Sequence, residues 1–290
     1  MIRSSNPALK PFEQPQRWDD LQAAPGGKAK AEPGVMTLGG TIQASAIQMG
    51  CALGGAFVTW IGMNQGWIPL QIGSAGIVLG LFAVLFIGGM IMARSPQISI
   101  VVGPILSALY GGFAGMASFF VAWSLGAQLE ANAGLIGATE PLTRDQAIAR
   151  GAGVVLNAIL LTFGVVLSLL ALFTFGKFRL SGTAMKIIST LIMAVMFTYV
   201  AGLVMRMLGF GGMPLIHEAG PVGIAFSGFV VVLASFNVLM SFQTIEMGVQ
   251  NRFPKHFEWY AGYALVTAVI WLYIEILYLL YKLYLMFGRE

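Results

Sequence analysis

Charged residues are scarce in this chain, and their scarcity excludes an ordinary soluble protein. Only 10% of the 290 residues are charged, whereas 57% are hydrophobic, and the mean hydropathy is +0.81. Soluble domains carry about 25% charged residues. The composition therefore predicts an integral membrane protein, and we expect the lipid bilayer to be one of its partners. The net charge of +4 is spread over a tail and short loops, so we expect no nucleic acid partner.

Cysteine and histidine are rarer still, with one and two copies respectively. Cys51 can form no disulfide within the chain, and we interpret it as a packing residue of the first apolar segment. His217 and His256 lie in separate predicted loops on opposite faces, where neither a metal site nor a nucleophilic triad is easily assembled. The sequence also lacks a phosphate-binding loop, a dinucleotide-binding glycine motif and HExxH. We therefore expect no enzymatic activity, no cofactor and no metal centre.

The first 35 residues lack the apolar core of a secretory leader. They contain five prolines and charges of both signs, and too few apolar residues to build a core. We predict a flexible, proline-rich cytoplasmic tail over residues 1–35 and one transmembrane domain over residues 36–290.

Seven apolar runs follow the tail, and each is long enough for the roughly 20 helical residues that cross a bilayer core. The predicted fold class is therefore all-α integral membrane, a seven-transmembrane-helix bundle. The predicted spans are about 37–63, 71–92, 98–126, 149–175, 183–208, 221–247 and 257–286.

Lysine and arginine are distributed unevenly between the two sides of this bundle. The tail and the second, fourth and sixth loops hold eleven of them, and the other side holds five. Because cytoplasmic loops carry the excess of positive charge, we predict a cytoplasmic amino terminus and a carboxyl terminus on the outside.

Glycines recur four residues apart within three of the spans. Such pairs let helix backbones approach closely in a membrane, and we expect them to pack within the monomer rather than to form a dimer interface. The pairs are Gly50 with Gly54, Gly76 with Gly80, and Gly111 with Gly115.

Two of the three glutamates on the last two predicted spans are candidate functional residues. Glu275 is deep in WLYIEILYLLY, near the expected midplane, and Glu246 is near the end of the preceding span. An ionisable group at such depth costs free energy and is rarely without a function. Because burial penalises the charged form of a carboxyl, we expect Glu275 to change its charge near neutral pH. Lys282, two turns later, is either its partner or a side chain whose ammonium reaches outward to the interface.

The sixth span carries five polar residues on two stripes. The first stripe holds Asn237, Ser241 and Thr244, and the second holds Gln243 and Glu246. If either stripe faces Glu275, the result is a buried polar cluster that can gate a cation by protonation. The simpler alternative is that a neutral Glu275 hydrogen-bonds between two helices.

Several segments of this chain resemble one family of membrane proteins. The longest is SFNVLMSFQTIEMGVQNRFPKHFEWYAGYALVTAVIWLYIEILYLL, and it is preceded by MPLIHEAGPVGIAFS, NAILLTFGVVLSLLALF, FRLSGTAMKI, MTLGGTIQASAI and SSNPAL. On these segments, which cover nearly the whole chain, the protein resembles the bacterial Bax inhibitor/YccA-type proteins of the TMBIM superfamily.

The resemblance implies a fold and an activity. The family has seven transmembrane helices, the last held among the other six, and characterised relatives are calcium-permeable leak channels gated by pH through a pair of acids. Some bacterial relatives associate with a membrane protease. By position, the family's acid on the last helix falls on Glu275, and its partner falls on Ser241 or, with a small shift, on Gln243. This chain reads MSFQTIE where relatives are acidic, so only Glu246 remains nearby.

Two functions follow as hypotheses. The first is a pH-responsive calcium or cation leak, with Glu275 as sensor and Glu246, Gln243, Ser241 and Asn237 as its polar surroundings. The second is a non-conducting accessory or regulatory subunit of a larger membrane assembly. Under either hypothesis, we expect the protein to lie in a bacterial cytoplasmic membrane.

The predicted orientation is testable by cysteine labelling in intact cells, in a Cys51→Ala background. A membrane-impermeant maleimide should label Arg289→Cys, near the carboxyl terminus, and should label Lys255→Cys only after the cells are opened. Labelling of Lys255→Cys in intact cells, with Arg289→Cys protected, would reverse the assignment.

Overall fold

The computed structural model describes residues 34–69, 75–135, 144–176, 178–210 and 219–287. Within these ranges the chain is mostly helical, and the seven long helices are each long and apolar enough to cross a membrane. The helices are α1 Leu38–Asn64, α2 Ala75–Arg94, α3 Ser99–Leu135, α4 Arg144–Thr174, α5 Gly182–Met207, α6 Pro221–Gln250 and α7 Phe257–Phe287, with a short 3-10 helix at Pro96–Ile98. The protein is therefore a multi-pass, all-α membrane protein, as the sequence predicts.

The helix bounds agree with the predicted spans except where α3 and α4 approach their shared loop. Helix α3 continues to Leu135 rather than ending at about 126, and α4 begins at Arg144 rather than at about 149. The predictions followed the apolar runs, which end before Glu130 and begin after Asp145. A charged side chain ends the apolar stretch that lipid can hold, but it does not end the helical hydrogen bonding. The apolar portions, Pro96–Gln128 and Gly151–Thr174, do stop close to the predicted limits.

Helix α7 is the most buried of the seven spans. Half of its apolar window is buried inside the protein, against 11–39% for the other spans. It packs against α1, α3, α4 and α6. Helix α5, in contrast, packs mainly against α6 and α2 and leaves most of its surface to the lipid. The orientation of the termini stays a prediction.

Helices α1 and α3 approach each other through small residues. A side chain at Gly111 would overlap the main chain of Ala52, and one at Gly115 would overlap that of Ala56. On the opposite helix, a side chain at Gly55 would overlap the carbonyl oxygen of Ala108. This is the close backbone contact that small residues spaced four apart permit.

The other two predicted glycine pairs do not pack in this way. Among the described residues, nothing lies within 4 Å of a Cβ built at Gly50, Gly54 or Gly80, and one at Gly76 would meet only the methyl group of Met207, at 3.9 Å. The four-residue spacing of the glycines identified small residues. It did not show which face of each helix makes a close backbone contact.

The predicted tail lies outside the described residues, apart from its last two positions. Those positions belong to a short strap, residues 34–37, that binds the connector between α6 and α7. Val35 forms an isolated antiparallel bridge with Pro254, the Met36 amide donates to the Phe253 carbonyl at 2.7 Å, and the side chain of Met36 is buried. The start of α1 is thereby joined to the start of α7.

We predict that Gly111→Ala destabilises the protein by about 1–3 kcal/mol, because the added methyl group forces α1 and α3 apart. The matched control is Gly54→Ala on α1, where the site is open and alanine favours the helix by up to about 1 kcal/mol. Thermal unfolding in detergent measures both. Equal melting temperatures for the two variants would contradict the close contact.

Candidate functional site

The buried carboxylate of Glu275 is the main polar group in the middle of α7. Its residue is 3% exposed. The Tyr199 hydroxyl lies 2.9 Å from Oε1 and 3.0 Å from Oε2, and the Trp271 indole Nε1 donates to Oε1 at 2.9 Å. A hydroxyl has one proton, so Tyr199 donates to one oxygen at a time. Two donors therefore hold the carboxylate in place.

The two donors come from different helices. Trp271 lies four residues before Glu275, so the two side chains are neighbours on one face of α7. Tyr199 belongs to α5, and its ring packs edge-on against Phe226 of α6, with the ring centres 6.5 Å apart. The Tyr199 hydrogen bond therefore connects α5 to α7 across the edge of α6.

Lys282 is buried at the α6–α7 interface, with 7% of its surface exposed. Its Nζ donates to the Ser227 hydroxyl at 2.8 Å and to the Gly223 carbonyl at 3.1 Å. The side chain is therefore buried against α6, and the position of its ammonium relative to the membrane interface stays a prediction. The side chain turns towards α6, where two oxygens accept hydrogen bonds from its ammonium.

The side chain of Gln243 is directed to the connector between α4 and α5 and not to Glu275. Its Nε2 donates to the Leu180 carbonyl at 2.9 Å, and its Oε1 accepts from the Leu180 amide at 2.9 Å. The side-chain amide thus satisfies both main-chain groups of one residue just before α5 begins. We call this pair of hydrogen bonds, with the ion pair described next, the α5 clamp.

Glu246 completes the α5 clamp through Arg179. The guanidinium makes two contacts of 2.8 Å with the carboxylate, one to each oxygen. The guanidinium also lies 3.7 Å above the centre of the Phe173 ring and donates to the Phe173 carbonyl at 2.8 Å. Each charged side chain is about one-third exposed, so solvent weakens the pair, although its two-point geometry favours it.

The two hydroxyls of the first polar stripe hydrogen-bond within their own helix. The Ser241 hydroxyl donates to the Asn237 carbonyl at 3.0 Å, and the Thr244 hydroxyl donates to the Met240 carbonyl at 2.8 Å. The side chain of Asn237 is half-buried. The expectation that these hydroxyls surround Glu275 is not met by the hydrogen bonds of the structure.

The polar residues of α6 lie away from Glu275 because of the axial offset between α6 and α7. The two helices are antiparallel, and Lys282 contacts Ser227. Seven residues back along α7, Glu275 therefore lies level with about Ala234 of α6. Ser241 and Gln243 are seven and nine residues beyond that level, or about 10–14 Å along the helix axis. Helical spacing predicts a shared face but not this axial offset.

Glu258 is a buried acid that the sequence prediction missed. Its residue is 3% exposed, and its carboxylate accepts from the Thr37 amide and the Thr37 hydroxyl, each at 2.9 Å. The carboxylate occupies the space that a side chain at Gly40 would need. It therefore sits at the amino end of α1, where the helix dipole favours a negative charge. The run TLGG, with a capping threonine and no side chain at the next two glycines, is the signal that could have identified it.

Tyr199 and Trp271 were missed for different reasons. Trp271 is recognisable from its spacing of four residues to Glu275 in WLYIE. Tyr199 lies in an apolar run of another helix, and no local pattern marks it as the partner of a residue 76 positions away. Among the residues that the structure describes, no three histidines, cysteines or acids come together as a metal site would require.

The chain was compared with known proteins. No curated protein and no solved structure matched it. A family model described as "Bax inhibitor 1 like" matches residues 6–284, nearly the whole chain. The sequence resemblance to the Bax inhibitor family is thereby confirmed. The protein belongs to the Bax inhibitor 1 like family of membrane proteins.

Proposed function

We propose that this protein is a pH-responsive leak for calcium or another cation across a bacterial cytoplasmic membrane, with Glu275 as its proton-sensitive group. The observation that carries the proposal is the burial of this carboxylate inside a membrane-spanning helix, with hydrogen-bond donors from α5 and α7. Intramembrane ionisable groups commonly mark ion or proton pathways. Membership of the Bax inhibitor family supports the same class of function through the resemblance given above.

Protonation of Glu275 would act on the hydrogen bond from Tyr199. Donors bind an ionised carboxylate roughly twice as strongly as a neutral acceptor. When the carboxylate takes up a proton, the connection between α5 and α7 weakens. Helix α5 remains attached at its start by the α5 clamp, while its other packing is mainly against α6 and α2. We therefore assign the proton-dependent movement to α5, which turns about Leu180.

Gln243 and Glu246 have a different role in this proposal from the one their sequence positions suggested. They hold the pivot of α5 through Leu180 and Arg179 and do not coordinate the ion. Ser241 and Asn237 are left as polar groups farther along the same helix. Calcium prefers six to eight oxygen ligands. In this proposal Glu275 therefore works as a switch and not as the calcium site itself.

The first prediction concerns Glu275→Gln, which keeps the shape of the side chain and removes its titration. In proteoliposomes loaded with a calcium dye, wild-type flux should change with pH between about 5 and 8, and the variant should lose that dependence. Glu275→Asp keeps a titratable carboxyl and should retain a pH response. Wild-type flux no greater than that of empty liposomes at every pH would contradict the leak.

The second prediction concerns Tyr199→Phe, which removes one donor to the ionised carboxylate and keeps the ring. A hydrogen bond to a charged group contributes about 1.5–3 kcal/mol. In this proposal that bond is the α5–α7 connection that protonation weakens, so the variant should lose most of the pH dependence of its flux. The matched control is Tyr273→Phe, which removes a hydroxyl that contacts Ser118 at 2.6 Å instead. Flux that depends on pH as strongly in Tyr199→Phe as in Tyr273→Phe would contradict the assigned role of Tyr199.

A second candidate function is a non-conducting subunit of a larger membrane assembly, such as one containing a membrane protease. The specific observation in its favour is that Gln243 and Glu246 bind the α4–α5 connector, which leaves Glu275 without a second acid among its described hydrogen-bond partners. Gentle solubilisation followed by size measurement tests it. A lone monomer with pH-dependent flux would contradict this candidate, whereas a stable complex with no flux from any reconstituted form would support it.

A further inference from the structure

Lys282 lies seven residues after Glu275, which is two helical turns along the same face of α7 and about 10 Å of rise. The side chain is buried, and its Nζ is held by the Ser227 hydroxyl at 2.8 Å and the Gly223 carbonyl at 3.1 Å. Gly223 and Ser227 are one turn apart on α6, so they fix the ammonium from one side. A buried ammonium is costly and calls for a physical reason.

We propose that Lys282 is a fixed counter-charge for Glu275 and that it stabilises the ionised carboxylate from a distance. This inference rests on the proposed function for its consequence, because it assigns Lys282 the setting of the pH at which the leak responds. Its Nζ donates to Gly223 and Ser227 of α6, and we assign its effect on Glu275 to the electric field of the ammonium. The field is weakly screened because the helices between and around the two groups are apolar.

The surroundings of Glu275 contain few competing charges. From α6, the stretch between Pro221 and Phe242 brings no charged or titratable residue, and the apolar parts of α1, α3 and α4 bring no charged residue. From α5 comes Tyr199 and, seven residues later, Arg206, whose residue is exposed. Helix α7 itself adds tyrosines. The tyrosines of α5 and of the second half of α7 are Tyr199, Tyr273, Tyr278, Tyr281 and Tyr284.

The size of the effect follows from the separation. At an effective dielectric constant of about 20, a unit charge about 10 Å away changes the protonation midpoint of a carboxyl by about one pH unit. Removal of the Lys282 charge should therefore raise the midpoint of Glu275 by about one unit. Removal of the exposed Arg206 charge, at a similar level of the bundle, should have less than a third of that effect because solvent and headgroups screen it.

The test is an infrared titration of the full-length protein in lipid vesicles. The carbonyl band of protonated Glu275 is identified as the band that disappears in Glu275→Gln. Its midpoint should rise by about one pH unit in Lys282→Met and return to the wild-type value in Lys282→Arg. Arg206→Gln and Ser227→Ala are the controls, since the first removes an exposed charge and the second removes a hydrogen bond to Lys282 without removing its charge.

The outcomes separate the two proposals. A rise in Lys282→Met, with little change in both controls, supports the counter-charge whether or not the protein conducts. An unchanged midpoint in Lys282→Met, or an equal rise in Ser227→Ala, overturns it. Calcium flux from the same vesicles tests the leak independently, so an absent flux with the expected infrared shifts would reject the function and leave the inference about Lys282 standing.

Discussion

The structure depends on the hydrogen bonds that hold one carboxylate, that of Glu275, inside a membrane-spanning helix. Glu275 lies in the middle of a helix with half of its span buried, where lipid and apolar side chains offer no hydrogen bonds. Tyr199 and Trp271 supply the donors, and Lys282 lies two turns away on the same helix. The bond to Tyr199 is also what joins α5, a helix with little other packing, to α7. A local requirement for hydrogen bonding thus becomes a connection between helices.

Helix α7 is held by polar contacts at both ends as well. At its start, Glu258 binds the amino end of α1 through Thr37, and the buried amide of Gln48 donates to the Trp259 carbonyl at 2.8 Å. Towards its end, Lys282 binds α6. Hydroxyl pairs such as Ser118 with Tyr273 add contacts to α3 in between. With α7 held in this way, we propose that a change in the protonation of Glu275 acts on α5, whose packing is mainly against α6 and α2.

Much of the fold could be predicted from the sequence, because apolar length alone determines which segments span a membrane. The seven spans and the depth of Glu275 follow from that rule. The site was harder to predict, because its partners are set by the axial offset of two antiparallel helices and by which helix lies beside which. Spacing placed Ser241 and Gln243 on faces of α6 but could not show that they lie about 10–14 Å from the level of Glu275. Glu258 was overlooked because the first turn of a helix at the membrane interface resembles an exposed surface.

The central claim of the proposed function is that the proton on Glu275 controls passage of the cation. The most direct measurement follows the protonated-carboxyl infrared band and the calcium flux in the same proteoliposomes as the pH is varied. We predict that the two midpoints coincide, and that they move together when Lys282 is substituted. Flux whose midpoint stays in place while that of the carboxyl band moves would contradict it.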